Sequence, residues 1–583
     1  MNRISDPVLL EVLNNAFRSI AEEMGRALTR AAYSPNIRDR KDCSCAVFDK
    51  TGRLISQAEH IPAHLGPMAA SVQAVFGKYS EGDLSPGDVI MYNDSYIPGG
   101  SHLPDITVIS PVFDGGVLAF FAANRGHHND VGGISPGSQS ANAREIFQDG
   151  LRIPVLKIQQ RGELDEELLE FICLNVRTPA ERRGDIMAQI AANNVGAARL
   201  SELCSKYGFE QLSACIDGLI EYSENVLRKQ IEAIPDGIYQ GEDFLESDDE
   251  PDGVIRIKAS IDIRGDSVHV DFTGSHPQVR SPYNMPPDQS KTAVYYAFKC
   301  IGGESLPFNF GIFKPISFTL PPGTIVNPLP PAPTSFCTTE SSNRVADVIL
   351  RALSQAIPDR ITAGWATTRN IIALGGMRKD SEQMFVHMES FGGGQGARPT
   401  KDGMDGVPPH CGNTANTPTE IMEAVYPLLV LRYGLVRESE GPGKFRGGLG
   451  VTRVLKILEG NNMELSFVAD RRRIPPYGLF GGLPGKPGED YLIRDNQKGR
   501  IKPKCVMDVF PNDIIIIQTP GGGGIGSPFE RDPYFVLKDV QQGFISPERA
   551  KREYGVIVDD HLEVDLEKTA EYRANMIRAN TEA

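Results

Sequence analysis

The sequence lacks any long run of hydrophobic residues. Its N-terminal segment, MNRISDPVLLEVL, has an apolar stretch too short for a signal peptide. Nothing downstream approaches the roughly 18 consecutive apolar residues that a membrane-spanning helix needs. We therefore expect a cytoplasmic protein that has no membrane as a partner.

Positive charge is also scarce. The chain has 60 Lys and Arg residues against 75 Asp and Glu residues, a formal net charge of -15. The acidic residues are scattered and do not form an acidic tail. A field of this sign repels phosphate backbones and anionic lipids, so we do not expect nucleic acid to be a partner.

Cysteine spacings that indicate disulfides or zinc knuckles are missing. The nine cysteines are an odd number spread along the chain, and the only close pair, Cys43 and Cys45, forms CxC instead of CxxC. This pattern favours reduced thiols over a disulfide framework or a cysteine-based zinc site.

Motifs for phosphate binding and for nucleophilic catalysis are absent as well. The glycine-rich segments FGGGQGAR, FRGGLGV and PGGGGIGSP do not satisfy GxxxxGK[ST], and no GxGxxG opens a helix after a strand. We interpret them as tight β-turns. We expect no nucleophile elbow, because the GxSxG string GISPG at 133–137 does not join a predicted strand to a predicted helix. Cys411 in PHCGNT is expected to be an ordinary buried thiol. If the reaction uses ATP, this chain shows no recognisable site for it.

What the sequence does contain indicates several domains. At about 150 residues per domain, 583 residues correspond to roughly three or four domains. The 59 glycines and 42 prolines favour a loop-rich, multi-domain α+β fold with antiparallel hairpins, a helical layer and a β-rich C-terminal part. We predict a metal-binding α+β domain at 1–160, a helical segment at 161–236, a β-rich middle domain at 237–325, an α/β segment at 326–440, a Gly/Pro-rich β domain at 441–530 and a helical tail at 531–583.

Hydrophobic periodicity locates the elements of the N-terminal half. Apolar residues from Leu9 onward recur at helical spacing and predict an amphipathic helix that ends near Tyr33. Cys43 to Gln57 predicts a hairpin and Gly87 to Asp94 a strand. DITVISPVF and VLAFFAAN predict a second hairpin around Asp114-Gly115-Gly116, and helical periodicity returns between Leu164 and Ile234.

The second hairpin carries the most informative residues. SHLPD precedes its first strand and NRGHHND ends its second. Turn closure by residues 113 and 116, 113 and 117, or 114 and 117 sets His127 opposite residue 102, 103 or 104. His102, Asp105 and His127 are then expected to converge. Two imidazoles and a carboxylate predict a divalent metal site for Zn, Mn or Fe rather than for Mg or Ca, and Asp42, at the mouth of the first hairpin, is a candidate fourth ligand.

An alternative interpretation is that these side chains only form hydrogen bonds around turns. For one isolated histidine that interpretation is favoured, but three of the ten histidines fall at one end of one hairpin, which favours a site. His128 and Asp130 are candidates for proton transfer or for orienting the ligands. For these two residues, a solvated loop is an equal alternative.

The motifs also resemble a known family. SPNIRDRKDCSCAVFDKTGRLISQAEHIPAHLGPM, SHLPDITVISPVF, NRGHHNDVGG, NVRTPAERRGDIMAQIAAN, FGGGQGARPTKDGMDG, GKFRGGLGVTR and PGGGGIGSP are similar, in this order, to segments of hydantoinase B/oxoprolinase proteins. That family includes subunits of acetone and acetophenone carboxylases. The similarity spans nearly the whole chain.

The resemblance implies a division of labour between subunits. A hydantoinase A-type ATPase partner binds ATP and Mg and phosphorylates the carbonyl of a small substrate, while the B-type subunit binds the metal in a hetero-oligomer. By motif, His102 and Asp105 of HLPD and His127 of RGHH are implied to be metal ligands, with Asp42 of RKDCSC as the fourth.

The function expected from these observations is the ATP-dependent opening of a cyclic amide such as a hydantoin, 5-oxoproline or a lactam. The first alternative is a subunit of an ATP-dependent ketone carboxylase, which requires bicarbonate. A second, non-enzymatic alternative is a scaffold subunit with a structural metal. A third, a self-sufficient metallohydrolase, predicts turnover without ATP.

Overall fold

The computed structural model describes residues 6–304, 306–379 and 383–582. In the N-terminal part, an antiparallel sheet of seven described strands has the order β2-β1-β5-β4-β3-β6-β7. Its strands are β1 (Cys43–Asp49), β2 (Leu54–Gln57), β3 (Val89–Tyr92), β4 (Asp105–Asp114), β5 (Val117–His127), β6 (Leu156–Gln160) and β7 (Glu163–Leu164). Both predicted hairpins and the predicted strand between them are confirmed.

Helices cover both faces of this sheet. They are α1 (Pro7–Ala31), α2 (Pro35–Arg38), α3 (Leu65–Phe76), α4 (Ile146–Asp149), α5 (Glu166–Leu174), α6 (Pro179–Tyr207) and α7 (Phe209–Glu232). Helices α1, α6 and α7 share a core with Cys43, Cys45 and Val47, whereas α3 packs on the opposite face against Ala46 and Phe48. Because both faces are covered, β1 is buried along its whole length.

The N-terminal and helical predictions agree with these elements. Helix α1 ends at Ala31, close to the expected end near Tyr33, and its buried residues include Leu13, Phe17 and Met24. The helical periodicity between Leu164 and Ile234 corresponds to α5, α6 and α7. A helical layer therefore lies on the sheet that carries the second hairpin.

A second, four-stranded sheet follows in the middle of the chain. Its order is β11-β10-β9-β8, and it contains β8 (Gly237–Glu246), β9 (Val254–Arg264), β10 (Ser267–Asp271) and β11 (Ile316–Thr319). Helices α8 (Pro287–Gly302) and α9 (Ser342–Leu353) share its hydrophobic core. A π-helical turn, Cys337–Ser341, leads directly into α9.

The C-terminal part contains two further sheets that share one core. One has the order β13-β12-β16-β19 and the other β14-β15-β20-β17-β18. The elements are β12 (Ile371–Met377), β13 (Met384–Glu389), α10 (Thr419–Val425), β14 (Leu428–Leu435), β15 (Val451–Ile457), β16 (Asn461–Val468), β17 (Glu489–Arg494), β18 (Gln497–Arg500), β19 (Lys504–Val509), β20 (Ile514–Gln518), α11 (Pro533–Gln541), α12 (Pro547–Tyr554) and α13 (Leu566–Glu582).

The α+β, multi-domain fold class is therefore confirmed. The six-part division stays a prediction, and residues 1–5, 305, 380–382 and 583, which it includes, lie outside the described residues. All nine cysteines are free, as expected. Among the described residues, none of the helices combines the length and apolar character that crossing a membrane requires.

The glycine-rich segments 392–396, 441–450 and 520–526 lie against one another through their backbones. The N–H of Gly522 donates to the carbonyl oxygen of Gly448 at 2.9 Å, and the N–H of Gly448 donates to that of Gln395 at 2.8 Å. A Cβ atom at Gly522 would lie 2.0 Å from the Gln395 oxygen. The interpretation of these stretches as tight turns is wrong, because their glycines permit close backbone contact between three segments.

This contact gives a stability prediction. We expect Gly522→Ala to lower the free energy of unfolding by about 4 kcal/mol or more, because the new methyl group overlaps a backbone oxygen that has no room to move. Gly434→Ala is the matched control, since nothing lies within 4 Å of a Cβ atom at this strand position. Chemical denaturation of both variants checks the prediction, and equal stabilities would contradict it.

Candidate metal centre

The register of the β4–β5 hairpin decides which residues meet at its open end. The turn closes with Asp114 opposite Val117, which is one of the three predicted closures. A β-bulge beside Val112 then adds one residue on β5 and shifts the register, so that Asp105 stands opposite His127. The prediction that His127 faces residue 102, 103 or 104 is therefore wrong by at least one position.

The shifted register brings the three side chains of the expected triad together. Nδ1 of His127 lies 3.1 Å from Nε2 of His102 and 3.0 Å from Oδ1 of Asp105, and His102 Nε2 lies 3.0 Å from the same oxygen. Each side chain is nearly fully buried. Three potential ligand atoms about 3 Å apart have the spacing of atoms that share one ion at about 2.1 Å, so the triad fits a metal ion.

Hydrogen bonds from other elements hold two members of the triad in place. Nδ1 of His102 lies 3.1 Å from the carbonyl oxygen of Ser335 and 3.1 Å from Oγ1 of Thr338, both close to the start of the π-helical turn. The hydroxyl of Ser101 donates to Oδ2 of Asp105 at 2.7 Å. When Nδ1 of His102 donates to Ser335, its Nε2 presents a lone pair to the triad.

The electrostatics of the triad favour an ionised carboxylate. Burial opposes the charged form of Asp105. The pKa of Asp105 is nevertheless held well below its usual range by charge interactions with His102 and His64 and by hydrogen bonds from His102 and His127. Burial also opposes protonation of His102, but Asp105 outweighs it and the pKa of His102 is raised. For His127, burial dominates and lowers the pKa.

Asp42 lies where the predicted fourth ligand was expected. It directly precedes β1 and lines the same small cavity as the triad. Its backbone carbonyl accepts a hydrogen bond from the N–H of His127 at 3.0 Å. The carboxylate of Asp42 does not belong to the group of side chains, His102, Asp105 and His127, whose potential ligand atoms lie close together. The role of Asp42 as a ligand therefore stays a prediction.

Sequence reasoning missed His64, which also lines this cavity. Its Nε2 lies 3.5 Å from Oδ2 of Asp105, and its Nδ1 lies 2.9 Å from Oγ of Ser44 on β1. The signal was present in the sequence as HIPAH, a histidine pair that directly follows the first hairpin. His64 therefore approaches the carboxylate oxygen that does not face the other two histidines.

His128 and Asp130 lie outside the cavity. His128 points towards α6, where its Nε2 lies 2.9 Å from Oε1 of Gln189, and burial together with Arg182 lowers its pKa to about 3. Asp130 is fully buried and forms an ion pair with Arg177 at 2.9 Å. Both side chains have structural partners here, and their expected roles in proton transfer stay predictions.

The other wall of the cavity combines Gln139, from the segment between β5 and β6, with residues from later parts of the chain. It includes Gln139, Thr338, Arg369, Ile371, Met388 and Ser390. Spacing within the sequence carries no signal for these contacts, because they depend on how the later sheets pack onto the first. Cys411 lies behind this wall, and burial raises its pKa to about 12, so the thiol is protonated as the sequence interpretation requires.

Comparisons with known proteins identify the family of the chain. Residues 6–528 match the family model for Hydantoinase B/oxoprolinase. The chain is 35% identical to a putative B-type subunit of a D-/L-hydantoinase from Pseudomonas sp. (strain NS671), over 97% of this chain and 98% of that protein.

Two solved structures are similar over nearly the whole chain. The ATP-dependent caprolactamase from Pseudomonas jessenii matches with a TM-score of 0.89 and 32% identity, over 98% of this chain and 100% of that chain. Nucleotide-free acetone carboxylase matches with a TM-score of 0.91 over 99% of this chain and 84% of that chain, and at 22% identity it shows the fold alone. Because the family match spans most of the sequence and these relatives align over almost their full length, the chain belongs to the hydantoinase B/oxoprolinase family.

Proposed function

We propose that this chain is the metal-binding subunit of an ATP-dependent hydrolase that opens a cyclic amide, such as a hydantoin, 5-oxoproline or a lactam. The observation that carries the proposal is the buried triad of His102, Asp105 and His127, whose potential ligand atoms lie 3.0–3.1 Å apart. Similarity to a hydantoinase subunit and to an ATP-dependent caprolactamase supports the substrate class.

The donor set suits a divalent transition-metal ion. Two imidazole nitrogens and a carboxylate oxygen favour Zn, Mn or Fe, whereas Mg and Ca prefer oxygen ligands. Asp42, on the cavity wall, is the candidate for the fourth ligand. When bound, such an ion polarises a carbonyl group and lowers the pKa of water towards about 7.

The protein residues prepare this site for an ion. Ser335 orients the ring of His102, and the low pKa of Asp105 keeps its carboxylate ionised at neutral pH. The near-complete burial of the triad keeps bulk water away, which strengthens every electrostatic interaction in the cavity.

Activation of the amide is assigned to a hydantoinase A-type partner that binds ATP and Mg. This chain has no recognisable nucleotide motif, and an unstrained amide is a poor electrophile. Phosphorylation of the amide oxygen creates a leaving group and couples ring opening to ATP. The phosphorylated imidate and two water molecules then yield the ring-opened amino acid and inorganic phosphate.

The second candidate function is that of a ketone carboxylase subunit. The observation that favours it is the fold similarity to acetone carboxylase. In that case the phosphorylated compound is a ketone enol, and bicarbonate supplies the carbon dioxide. Both candidates use the same metal triad and the same ATPase partner.

The triad gives the first functional prediction. We expect His102→Ala and Asp105→Asn to lose the bound metal and to reduce ATP-dependent ring opening at least about 100-fold, because each removes a ligand. His269→Ala is the control, since this half-buried histidine on β10 forms hydrogen bonds with Ser317 and Thr319 on β11 and does not line the cavity. Metal analysis and product assays on the complex with its partner measure both effects.

Two outcomes would contradict the proposal. One is undiminished activity after exhaustive chelation. The other is a triad variant that folds less well while its correctly folded fraction retains full specific activity, because this result describes a scaffold with a structural metal.

His64 gives a second prediction. Because His64 approaches Asp105 from the side away from the other two histidines, His64→Ala should weaken metal affinity about 10- to 100-fold without abolishing binding. Competition with a calibrated chelator measures this change. An unchanged affinity would show that His64 does not position the carboxylate.

The requirement for bicarbonate separates the two candidate functions. We expect turnover of 5-oxoproline, hydantoins or lactams to need ATP and the partner subunit but no bicarbonate. The assay compares degassed and bicarbonate-supplemented buffer, with a ketone as the alternative substrate. Turnover only with a ketone and bicarbonate would replace the first candidate by the second, and turnover without ATP would contradict both.

A further inference from the structure

Gln139 is a buried glutamine that faces the cavity of the triad with its amide group unpaired. Its side chain is fully buried, and neither Nε2 nor Oε1 has a hydrogen-bond partner among the described residues. Its backbone is held in place, because the hydroxyl of Ser466 on β16 donates to the carbonyl oxygen of Gln139. A buried amide group that pairs with nothing is costly, so its presence here calls for a partner that the protein itself does not supply.

Arg369 on the same wall has a similar unsatisfied donor. Its NH2 group donates to the carbonyl oxygen of Cys411 at 2.9 Å, which fixes the guanidinium group. Its Nε–H is buried and has no partner among the described residues. The cavity thus combines one unpaired acceptor and two unpaired donor groups on one wall with the metal triad on the other.

The chemistry of this wall matches a cyclic secondary amide. In a small ring the amide is cis, so its N–H and C=O lie on the same edge. The carboxamide of glutamine also presents a donor and an acceptor on one edge, and the two groups can form a pair of parallel hydrogen bonds. Ile371 and Met388 supply apolar surface for the ring carbons.

We infer that Gln139 is a specificity-determining residue that recognises the N–H and C=O of a cyclic secondary amide, with Arg369 donating to the same carbonyl oxygen. This inference rests on the proposed function and narrows its substrate class, since a ketone has no N–H for Oε1 of Gln139. Gln139 also serves the activated substrate. O-Phosphorylation removes the proton from the ring nitrogen, and a half-turn of the carboxamide then lets Nε2–H donate to that nitrogen.

The free volume of the site favours small rings. The cavity around the triad holds about 10 Å³, and an adjoining cavity of about 90 Å³ shares Arg369 and Ser390 with it. The first cavity accommodates about one water molecule, so binding of a five-membered ring requires flexible side chains such as Met388 to move aside. The alternative partner for the polar groups of Gln139 is a bound water molecule. If water is the partner, Gln139 gives no preference for a cyclic amide over a cyclic ketone.

The experiment compares two rings of similar size on the full-length, metal-loaded chain. Ligand-observed NMR titrations measure the affinities of 2-pyrrolidinone, which has the cis amide, and of cyclopentanone, which has only the carbonyl group. We expect the wild type to prefer 2-pyrrolidinone by about tenfold or more, because the ketone leaves Oε1 of Gln139 unpaired. Equal affinities, or no binding of either ring, would overturn the inference without any variant.

Variants then assign the preference to Gln139. Gln139→Met keeps the length of the side chain and removes the amide, so the preference should fall to about twofold or less. Gln289→Met is the matched control, because Gln289 is also fully buried with both amide atoms unpaired but does not line the cavity. A preference that persists in Gln139→Met, or that disappears equally in both variants, would also overturn the inference.

Failure of this inference is distinguishable from failure of the proposed function. The proposed function depends on loss of metal and of ATP-dependent turnover in His102→Ala, whereas the inference depends on ring selectivity at constant metal content. Metal analysis of every titrated sample keeps the two questions separate.

Discussion

The candidate site depends on one buried carboxylate, that of Asp105. Its Oδ1 atom lies 3.0 Å from a nitrogen of His102 and 3.0 Å from one of His127, while Oδ2 accepts from Ser101 and lies 3.5 Å from His64. A charge buried this deeply is stable only with such partners. The covered sheet keeps these groups out of water, so the same packing that stabilises the N-terminal sheet gives the candidate site its low dielectric environment.

Contacts between distant segments close the cavity from the other side. Arg471 forms ion pairs with Asp243 on β8 at 2.6 Å and with Asp347 on α9 at 3.1 Å, and Asp347 also lies 2.7 Å from a ring nitrogen of His410. The residue after His410 supplies the carbonyl oxygen that holds Arg369. This buried network connects the middle sheet to the wall that faces the triad, and it positions Arg369 without using its Nε–H group.

The two walls of the cavity carry different kinds of chemical groups. One wall, from the N-terminal sheet, is suited to hold an ion, and its residues come from one hairpin and the strand beside it. The opposite wall, from the segment between β5 and β6 and from later parts of the chain, presents unpaired groups suited to recognise a ligand.

Local information in the sequence was enough for the elements and for part of the site. Alternation and turn residues predicted both hairpins, helical periodicity predicted α1 and the layer of α5 to α7, and residue type together with approximate pairing brought His102, Asp105 and His127 to one hairpin end. The exact register was not predicted, because the β-bulge beside Val112 shifts it by one residue. A bulge depends on packing between strands, and periodicity in the sequence does not record such packing. The positions of Gln139 and Arg369 depend on contacts between residues 327 and 42 positions apart, and the glycine segments also meet across long stretches of chain. Only the tertiary structure decided these features, because nothing in the local sequence specifies which distant backbone or side chain a buried group will meet.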